Sequence, residues 1–388
     1  MSANETAGAS SKTLPEILFI WDQFGPYHMD RLEALGAALA KRVHVVGIEL
    51  SATSGTYAWT QTGEGQQFEK RTLFGTTPVE MLRTTDVARA LAKEVSRSTV
   101  GAVFVSGYER PSHLLAAMVA RQRGARTIVM LDSKYDDKPR RNWLETVKRA
   151  LMTPYHGGFA AGRRSTEYLR SLGLRQRLIT QGYDTVSLSR IRSETSDVAQ
   201  LEWEKRPFLA IARYVPKKNL EFLLHAYAEY RLAVGGELAR SLILCGGGPL
   251  EASLRATADA LQITDAVKLS GFVGQGVVAD LMRNALCLLL PSVEEQWGLV
   301  VNEALAFDLP ILLSKNVGAA DLLVTDGDNG YLLDPHDRTG WSKAMQQLGK
   351  DSSLWRRMAA CSNALAPLGD VARFVEGVVP HLPGQMVR

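Results

Sequence analysis

Long apolar runs are missing from this 388-residue chain. No stretch reaches the roughly 18 apolar residues that a spanning helix needs. The first apolar run, Ile17–Trp21, is far too short, and no signal-peptide pattern precedes it. Cysteine is scarce: Cys245, Cys287 and Cys361 are far apart and show no metal-ligand spacing. They read as small buried residues in a reducing compartment. Internal repeats and low-complexity tracts are absent. The turn after the first predicted strand lacks Gly-x-Gly-x-x-Gly, which argues against a nicotinamide-binding Rossmann enzyme. No Asp-x-Asp pair is set up for a metal; Asp136-Asp137 and Asp326-Gly327-Asp328 come nearest. The basic excess is modest and spread out, which speaks against nucleic-acid binding.

What is present is enough for two cores of roughly 180 residues each. Hydrophobic residues make up 46% and charged residues 22%, so neither half reads as disordered. The net charge of +4 hides an asymmetry: residues 1–190 carry 26 Lys/Arg against 18 Asp/Glu, and the remainder 19 against 23. A basic half beside an acidic half suggests that one side meets an anionic partner.

Short apolar runs alternate with amphipathic ones. Ile17–Trp21, Val43–Glu49, Val100–Val105, Thr127–Leu131 and Gly157–Ala160 read as strands; Met29–Ala40, Pro111–Arg123, Arg141–Leu151 and Ser165–Leu172 read as helices. Ser187–Arg206 is polar and breaks the rhythm. The alternation restarts with strands at Pro207–Ala212, Leu242–Cys245, Val267–Ser270, Cys287–Leu290 and Ile311–Leu313. Helices are expected at Leu220–Arg231, Leu250–Leu261, Val277–Asn284 and Val300–Phe307. Continuous apolar strands followed by helices indicate parallel sheets covered on both faces. The expected fold class is α/β, with two Rossmann-like domains whose ligand lies in the cleft between them. The expected boundaries are a disordered leader at 1–13, a first domain at 14–190, a linker at 191–206, a second domain at 207–366, and a tail at 367–388 that crosses back to the first domain.

The segment richest in chemistry runs from Pro291 to Leu323. A strand ends at Leu290 and a loop then holds Glu294 and Glu295. Gly298 lets backbone approach a ligand where a helix begins, with Trp297, Leu299 and Val300 beside it. The unpaired N–H groups of a helix start suit a diphosphate. Glu303, about one turn inside, is placed to accept hydrogen bonds from vicinal hydroxyls, as on a ribose. Glu295 is placed to meet the hydroxyls of a transferred sugar.

Glu295 and Glu303 are separated by seven residues. They are followed by Ala306-Phe307-Asp308-Leu309-Pro310, Gly318-Ala319-Ala320-Asp321 and Asp326-Gly327-Asp328-Asn329-Gly330-Tyr331. This ordered series resembles the carboxyl-terminal domain of the family 4 retaining glycosyltransferases of GT-B fold, with their Glu-x7-Glu motif. With Gly25-Pro26-Tyr27-His28 after the first strand, Asp132-Ser133 in a later loop and Gly182-Tyr183-Asp184 before the polar segment, the first half is similar to a subgroup found in bacterial surface-polysaccharide synthesis. The resemblance implies that Arg213 and Lys218 neutralise the donor diphosphate. It makes Gly246-Gly247-Gly248 the next Gly-rich turn, with Gly247 at the donor, and puts Phe272 and Val273 along the base. It implies that Gly25 lets the first-domain loop approach the donor phosphates and that Arg31 points toward the cleft. It also puts Asp132, Ser133 and Tyr108 on the acceptor side. Many such proteins carry a His in the loop where Ser106–Pro111 stands; here the first His is His113, on the following helix. Two departures stand out: Asp308 where the family usually has Gly, and Asp321 where it usually has Glu.

The implied function is retaining, metal-independent transfer of a hexose-type sugar from a UDP- or GDP-sugar to a glycan or lipid-linked acceptor, with no cofactor. The weighed alternatives are a nucleotide-sugar epimerase of the same fold and a non-catalytic relative. Lys138–Leu151 is basic and amphipathic, with Trp143, Leu144, Val147 and Leu151 at helical spacing. It suits peripheral contact with an anionic membrane surface, and the expected location is cytoplasmic, at the inner membrane face.

Overall fold

A computed structural model describes residues 14–55, 61–137, 140–197 and 199–387. The expected leader at 1–13, and Lys138 and Pro139 of the basic segment, lie outside the described residues.

The chain alternates strand and helix as its apolar pattern requires. The first series is β1 (Glu16–Trp21), α1 (Pro26–Leu39), β2 (His44–Glu49), β3 (Glu69–Thr72), α2 (Thr84–Val95), β4 (Val100–Ser106), α3 (Pro111–Gln122) and β5 (Arg126–Leu131). Then come α4 (Asn142–Leu151), β6 (Gly157–Ala160), α5 (Arg163–Leu169), β7 (Leu178–Gln181) and α6 (Leu188–Ser193). The second series is β8 (Phe208–Ile211), α7 (Leu220–Val234), β9 (Leu242–Cys245), α8 (Glu251–Ala260), β10 (Val267–Leu269), α9 (Gln275–Asn284) and β11 (Cys287–Leu290). It closes with α10 (Leu299–Ala306), β12 (Ile311–Ser314), β13 (Gly330–Leu333), α11 (Arg338–Lys350), α12 (Ser352–Leu365) and α13 (Val371–Val378).

Two parallel sheets result, a seven-stranded one ordered β3-β2-β1-β4-β5-β6-β7 and a six-stranded one ordered β10-β9-β8-β11-β12-β13. In both, the order reverses beside the first strand: β1 separates β2 from β4, and β8 separates β9 from β11. Such reversals open crevices beyond the strands' carboxyl ends. Trp21–Tyr27 and Ser106–Arg110 leave one reversal; Ala212–Asn219 and Pro291–Gly298 leave the other.

By contacts the chain divides into two compact units. One comprises the described residues of Met1–Val129 with Thr153–Gly157 and Val379–Arg388; the other comprises Met130–Met152 and Gly158–Val378. Ser187–Arg206 falls inside the second unit. Its polarity has a local reason there: its side chains serve the ends of neighbouring helices. Arg192 Nε donates to the Ala306 carbonyl at the end of α10 (2.6 Å), and Arg206 Nη1 donates to the carbonyls of Arg283 (3.0 Å) and Ala285 (3.1 Å) beyond α9. Cations and donors are favourable at helix C-termini. At the end of the chain, α13 packs Phe374 on Phe159 of β6. In the other unit, His381 stands edge-on to Phe104 of β4.

Strand β3 has the sequence Glu-Lys-Arg-Thr and carries no apolar signal. It is ordered by charge. Lys70 Nζ lies 2.9 Å from Oε1 of Glu49 on β2, both side chains almost wholly buried. Thr72 Oγ1 donates to the same oxygen (2.6 Å), and Glu49 Oε2 accepts the Phe24 N–H (2.9 Å). Glu49 thus ties the edge strand to the loop that follows β1. Lys70→Ala leaves a buried carboxylate without its cation and is expected to cost about 3–5 kcal/mol, read as a lowered denaturant midpoint.

His113 on α3 is 2% exposed, and burial, then the nearby Arg110, pushes its pKa down from 6.5 to about 4. The unfolded chain takes up this proton below about pH 6.5, while the folded one resists until about 4. Its contribution is therefore complete above pH 6.5 and is lost as pH falls toward 4. The thermal midpoint is expected to drop across that window, and less steeply in His113→Gln.

Candidate active site

The loop after β8 is pinned from below. Tyr214 is fully buried, its hydroxyl donating to the Leu244 carbonyl (2.8 Å), and its N–H donates to the Gly247 carbonyl (2.8 Å). Burial pushes the Tyr214 phenol up to about 12. Arg213 is exposed beside this anchor. A turn at Pro216–Lys218 then ends at Asn219, which adopts a left-handed φ of 57°. Asn is one of the few residues that tolerate this conformation. Its side-chain amide donates to the carbonyls of Pro291 (3.2 Å) and Pro335 (2.8 Å), tying this loop to the one after β11. Sequence reasoning passed over Asn219; its place at the end of a charged loop, just before a helix, was the available signal.

The Gly246–Gly248 turn follows β9. Gly246 has φ 136°, and a Cβ there would lie 2.0 Å from the Ala212 carbonyl oxygen, so only glycine fits. Gly247 lies under the ring of Phe272. Phe272 is 70% exposed, with Val273 half-buried beside it. The Phe272 ring is therefore not part of the core.

The loop after β11 carries the carboxylates. Ser292 Oγ donates to Glu295 Oε2 (3.3 Å), and Lys218 Nζ forms an ion pair with the same oxygen. Backbone contacts fix the loop: the Val293 N–H donates to the Lys217 carbonyl (2.9 Å), and Glu295 bridges to Val317 in parallel pairing. Gly298, at φ 95°, is the N-cap of α10 and gives it no side-chain cap. The first amides of α10, at Leu299 and Val300, therefore lack a side-chain acceptor at the cap, an arrangement suited to an anion. Glu303 is half-buried on α10. Its negative field, after burial, helps raise the Cys245 thiol to about 11, which places Glu303 at the carboxyl end of β9.

Trp297 does not present its ring to this crevice. It is 4% exposed, and its indole N–H donates to Asn302 Oδ1 (3.0 Å). Asn302 is fully buried, and its amide donates to the carbonyls of Asp184 and Gly369 (3.1 Å each). Gly182-Tyr183-Asp184 is thereby held against α10. Asp321 was read only as a departure, and Arg164 was missed. The Arg164 N–H donates to Asp321 Oδ2 (2.8 Å), and its guanidinium donates to the carbonyls of Lys315 and Val317. Burial raises the Asp321 pKa, and the Arg164 N–H opposes that shift.

Ser133 joins this group: its Oγ accepts from Gln296 Nε2 (3.1 Å), next to Glu295. Asp132 is half-buried, and its carbonyl accepts from Ser165 Oγ (2.9 Å). The other expected residues belong to the first unit. Gly25 is the N-cap of α1, and its N–H donates to His28 Nδ1 (2.9 Å). Desolvation of His28 within the stack of Trp21 and Phe24 pushes its pKa well down. Arg31, expected to point toward the cleft, is 1% exposed, and Tyr108 is buried as well.

Two parallel sheets, with a charged loop and a helix start lacking a side-chain cap at the order reversal of the second, define an α/β protein of GT-B fold. Residues 192–363 match the family described as glycosyl transferases group 1. Sucrose-phosphate synthase of Spinacia oleracea is 33% identical over 168 residues, covering 39% of this chain and 16% of that protein. D-inositol 3-phosphate glycosyltransferase of Streptomyces avermitilis is 34% identical over 157 residues, covering 39% and 33%. The chain thus matches a third or less of the length of these relatives. Among solved structures, HepE of Anabaena in complex with UDP aligns with TM-score 0.70 at 17% identity, covering 94% of this chain and 98% of that one. Sucrose-phosphate synthase of Thermosynechococcus elongatus gives 0.70 at 16% with the same coverage. These likenesses show the fold.

Asn302→Ala removes three buried hydrogen bonds and leaves the Trp297 indole N–H without its acceptor, while the Gly369 carbonyl keeps the Val186 N–H (3.1 Å). At about 1–3 kcal/mol for a buried group left unpaired, a loss of that order is expected in urea unfolding.

Proposed function

We propose that the chain is a retaining glycosyltransferase that moves a hexose-type sugar from a UDP- or GDP-sugar to a glycan or lipid-linked acceptor in polysaccharide or glycoconjugate assembly. The observation that carries this reading is the convergence of Lys218 and Glu295, from loops on either side of one order reversal, beside the N-terminus of α10. In this reading a departing nucleoside diphosphate develops negative charge, and Arg213, Lys218 and the first amides of α10 stabilise it without a metal. Glu295 holds hydroxyls of the transferred sugar, Glu303 takes the ribose, and Phe272 lies against the base. The leaving phosphate helps to deprotonate the acceptor on the same face, which retains anomeric configuration. The enzyme's part is placement and charge. Asp132 and Ser133 face the acceptor side.

Peripheral membrane contact gains support from α4. The helix packs by its polar side: Glu145 is buried, accepting from Lys148 Nζ (2.9 Å) and from the Tyr168 hydroxyl (3.3 Å). Trp143 is 63% exposed, and Leu144 and Val147 are exposed with it, flanked by the exposed Arg141 and Arg149. An apolar face ringed by cations suits an anionic lipid surface. No helix among the described residues is long and apolar enough to cross a membrane.

Purified protein incubated with UDP- and GDP-sugars, with and without acceptor glycans, tests the reading. Lys218→Ala and Glu295→Ala are each expected to lose at least about a hundredfold in rate, as for loss of one transition-state donor. Near wild-type turnover in either folded variant overturns the assignment. Epimerised donor without acceptor favours the epimerase instead.

A further inference from the structure

The first unit has its own order reversal, where β1 meets β4, and a polar cluster stands at its carboxyl edge. Asp22 directly follows β1, and its carbonyl is fixed by the N–H groups of Leu50 (3.1 Å) and Ser51 (3.2 Å). Arg110 and His113 lie at the start of α3, after β4. Arg110 Nη2 lies 2.8 Å from Asp22 Oδ2, and His113 Nε2 lies 3.8 Å from Asp22 Oδ1. That second distance is beyond hydrogen-bond range. Oδ1 and both ring nitrogens of His113 are buried and have no hydrogen-bond partner. Unpartnered buried polar atoms are costly and are rarely left without a purpose. The Asp22 side chain is nevertheless 40% exposed and that of Arg110 44%, so a ligand can reach the outer edge of the carboxylate while His113 stands behind it.

The charges select the ligand. Asp22 and Arg110 offset one another, and the field of Glu80 also reaches Asp22. An anion would meet the Asp22 carboxylate, and a cation would meet the guanidinium. His113, with its low pKa, is neutral near pH 7, offering one donor and one acceptor nitrogen. A hydroxyl group answers all of this: it donates to a carboxylate and accepts from a guanidinium.

We propose that Asp22, Arg110 and His113 form a hydroxyl-binding subsite of the first unit that takes a neutral sugar ring. Asp22 accepts the ligand O–H at its outer edge, and Arg110 donates to a ligand oxygen. His113 is a positioning residue: its N–H closes onto Oδ1 and holds the carboxylate plane. Naming this sugar as part of the acceptor rests on the glycosyltransferase reading; the binding itself does not.

The test is calorimetry or saturation-transfer NMR with the methyl glycosides of glucose, galactose, mannose and rhamnose, alongside glucose 1-phosphate. UDP binding is measured separately. A methyl glycoside is expected to bind the wild type in preference to the phosphorylated sugar. Asp22→Asn should weaken that glycoside at least tenfold with thermal midpoint and UDP affinity unchanged. His113→Leu should weaken it severalfold, and His113→Gln, which restores a side-chain N–H, should recover most of the loss. The proposal is overturned if no glycoside binds, if the phosphorylated sugar binds better, or if Asp22→Asn binds as the wild type does. It is equally overturned if His113→Leu and His113→Gln behave alike. Failure of the wild type to bind UDP counts against the donor reading alone and leaves the glycoside result standing.

Discussion

Strands β8 and β11 pair in parallel through Phe208 with Cys287 and Leu209 with Leu288. The chain between them has gone out to β9 and β10 and returned. Their carboxyl ends are therefore adjacent while the connections leave in opposite directions, and two loops must share the space above them. The requirement is purely topological. Its chemical consequence is that a cation from one loop meets a carboxylate from the other, Lys218 with Glu295. The pair is held by backbone rather than by its own attraction. Asn219 grips the Pro291 carbonyl, and the Val293 N–H grips the Lys217 carbonyl. Both side chains are largely buried, 13% and 14% exposed, and these backbone contacts set where the two loops place them.

The sheets were legible in the sequence because their central strands are buried on both faces. Ile17–Trp21 and Cys287–Leu290 have no polar face to confuse the pattern, and burial is complete in the structure at Ile17, Phe19, Cys287 and Leu290. The edge strands were not legible for the opposite reason. Strand β3 is selected by ion pairs with Glu49, Glu16 and Glu94, and a charge code of that kind has no period to detect. Strands β7 and β13 are short and only partly buried. In helix α4 the amphipathic spacing is kept, with Glu145 buried against Lys148 and Trp143 on the exposed side.

At the site, residue type was legible and orientation was not. Glu295, Lys218, Gly298 and Glu303 sit where a strand end and a helix start put them, and that much follows from order along the chain. Trp297, Arg31 and Tyr108 are all buried, Trp297 with its indole N–H donating to Asn302. Phe272 went the other way, exposed where an aromatic would ordinarily be core. Arg164 was invisible because its partners are backbone carbonyls of Lys315 and Val317, far along the chain.

The two departures from the family pattern have structural answers. Asp308 has φ 58°, the left-handed conformation that a glycine would adopt at no cost. Asp is among the residues that tolerate it, since a short polar side chain can make compensating hydrogen bonds. Here Oδ1 accepts from Asn363 Nδ2 (2.8 Å) and lies 3.8 Å from Arg192. Those contacts bind the turn after α10 to α12 and to α6, which glycine alone could not do. Asp321 is shorter than the usual Glu, and its Oδ2 accepts the backbone N–H of Arg164 beside Gly162, where a Cβ would come within 2.9 Å of Oδ1. A longer carboxylate has no room in that approach. The substitution and the glycine belong together, and with Arg164 they fix the Val317 carbonyl, whose residue pairs with Glu295. The departures therefore tighten the frame around the carboxylate that meets Lys218, and leave the charges that face the crevice unchanged.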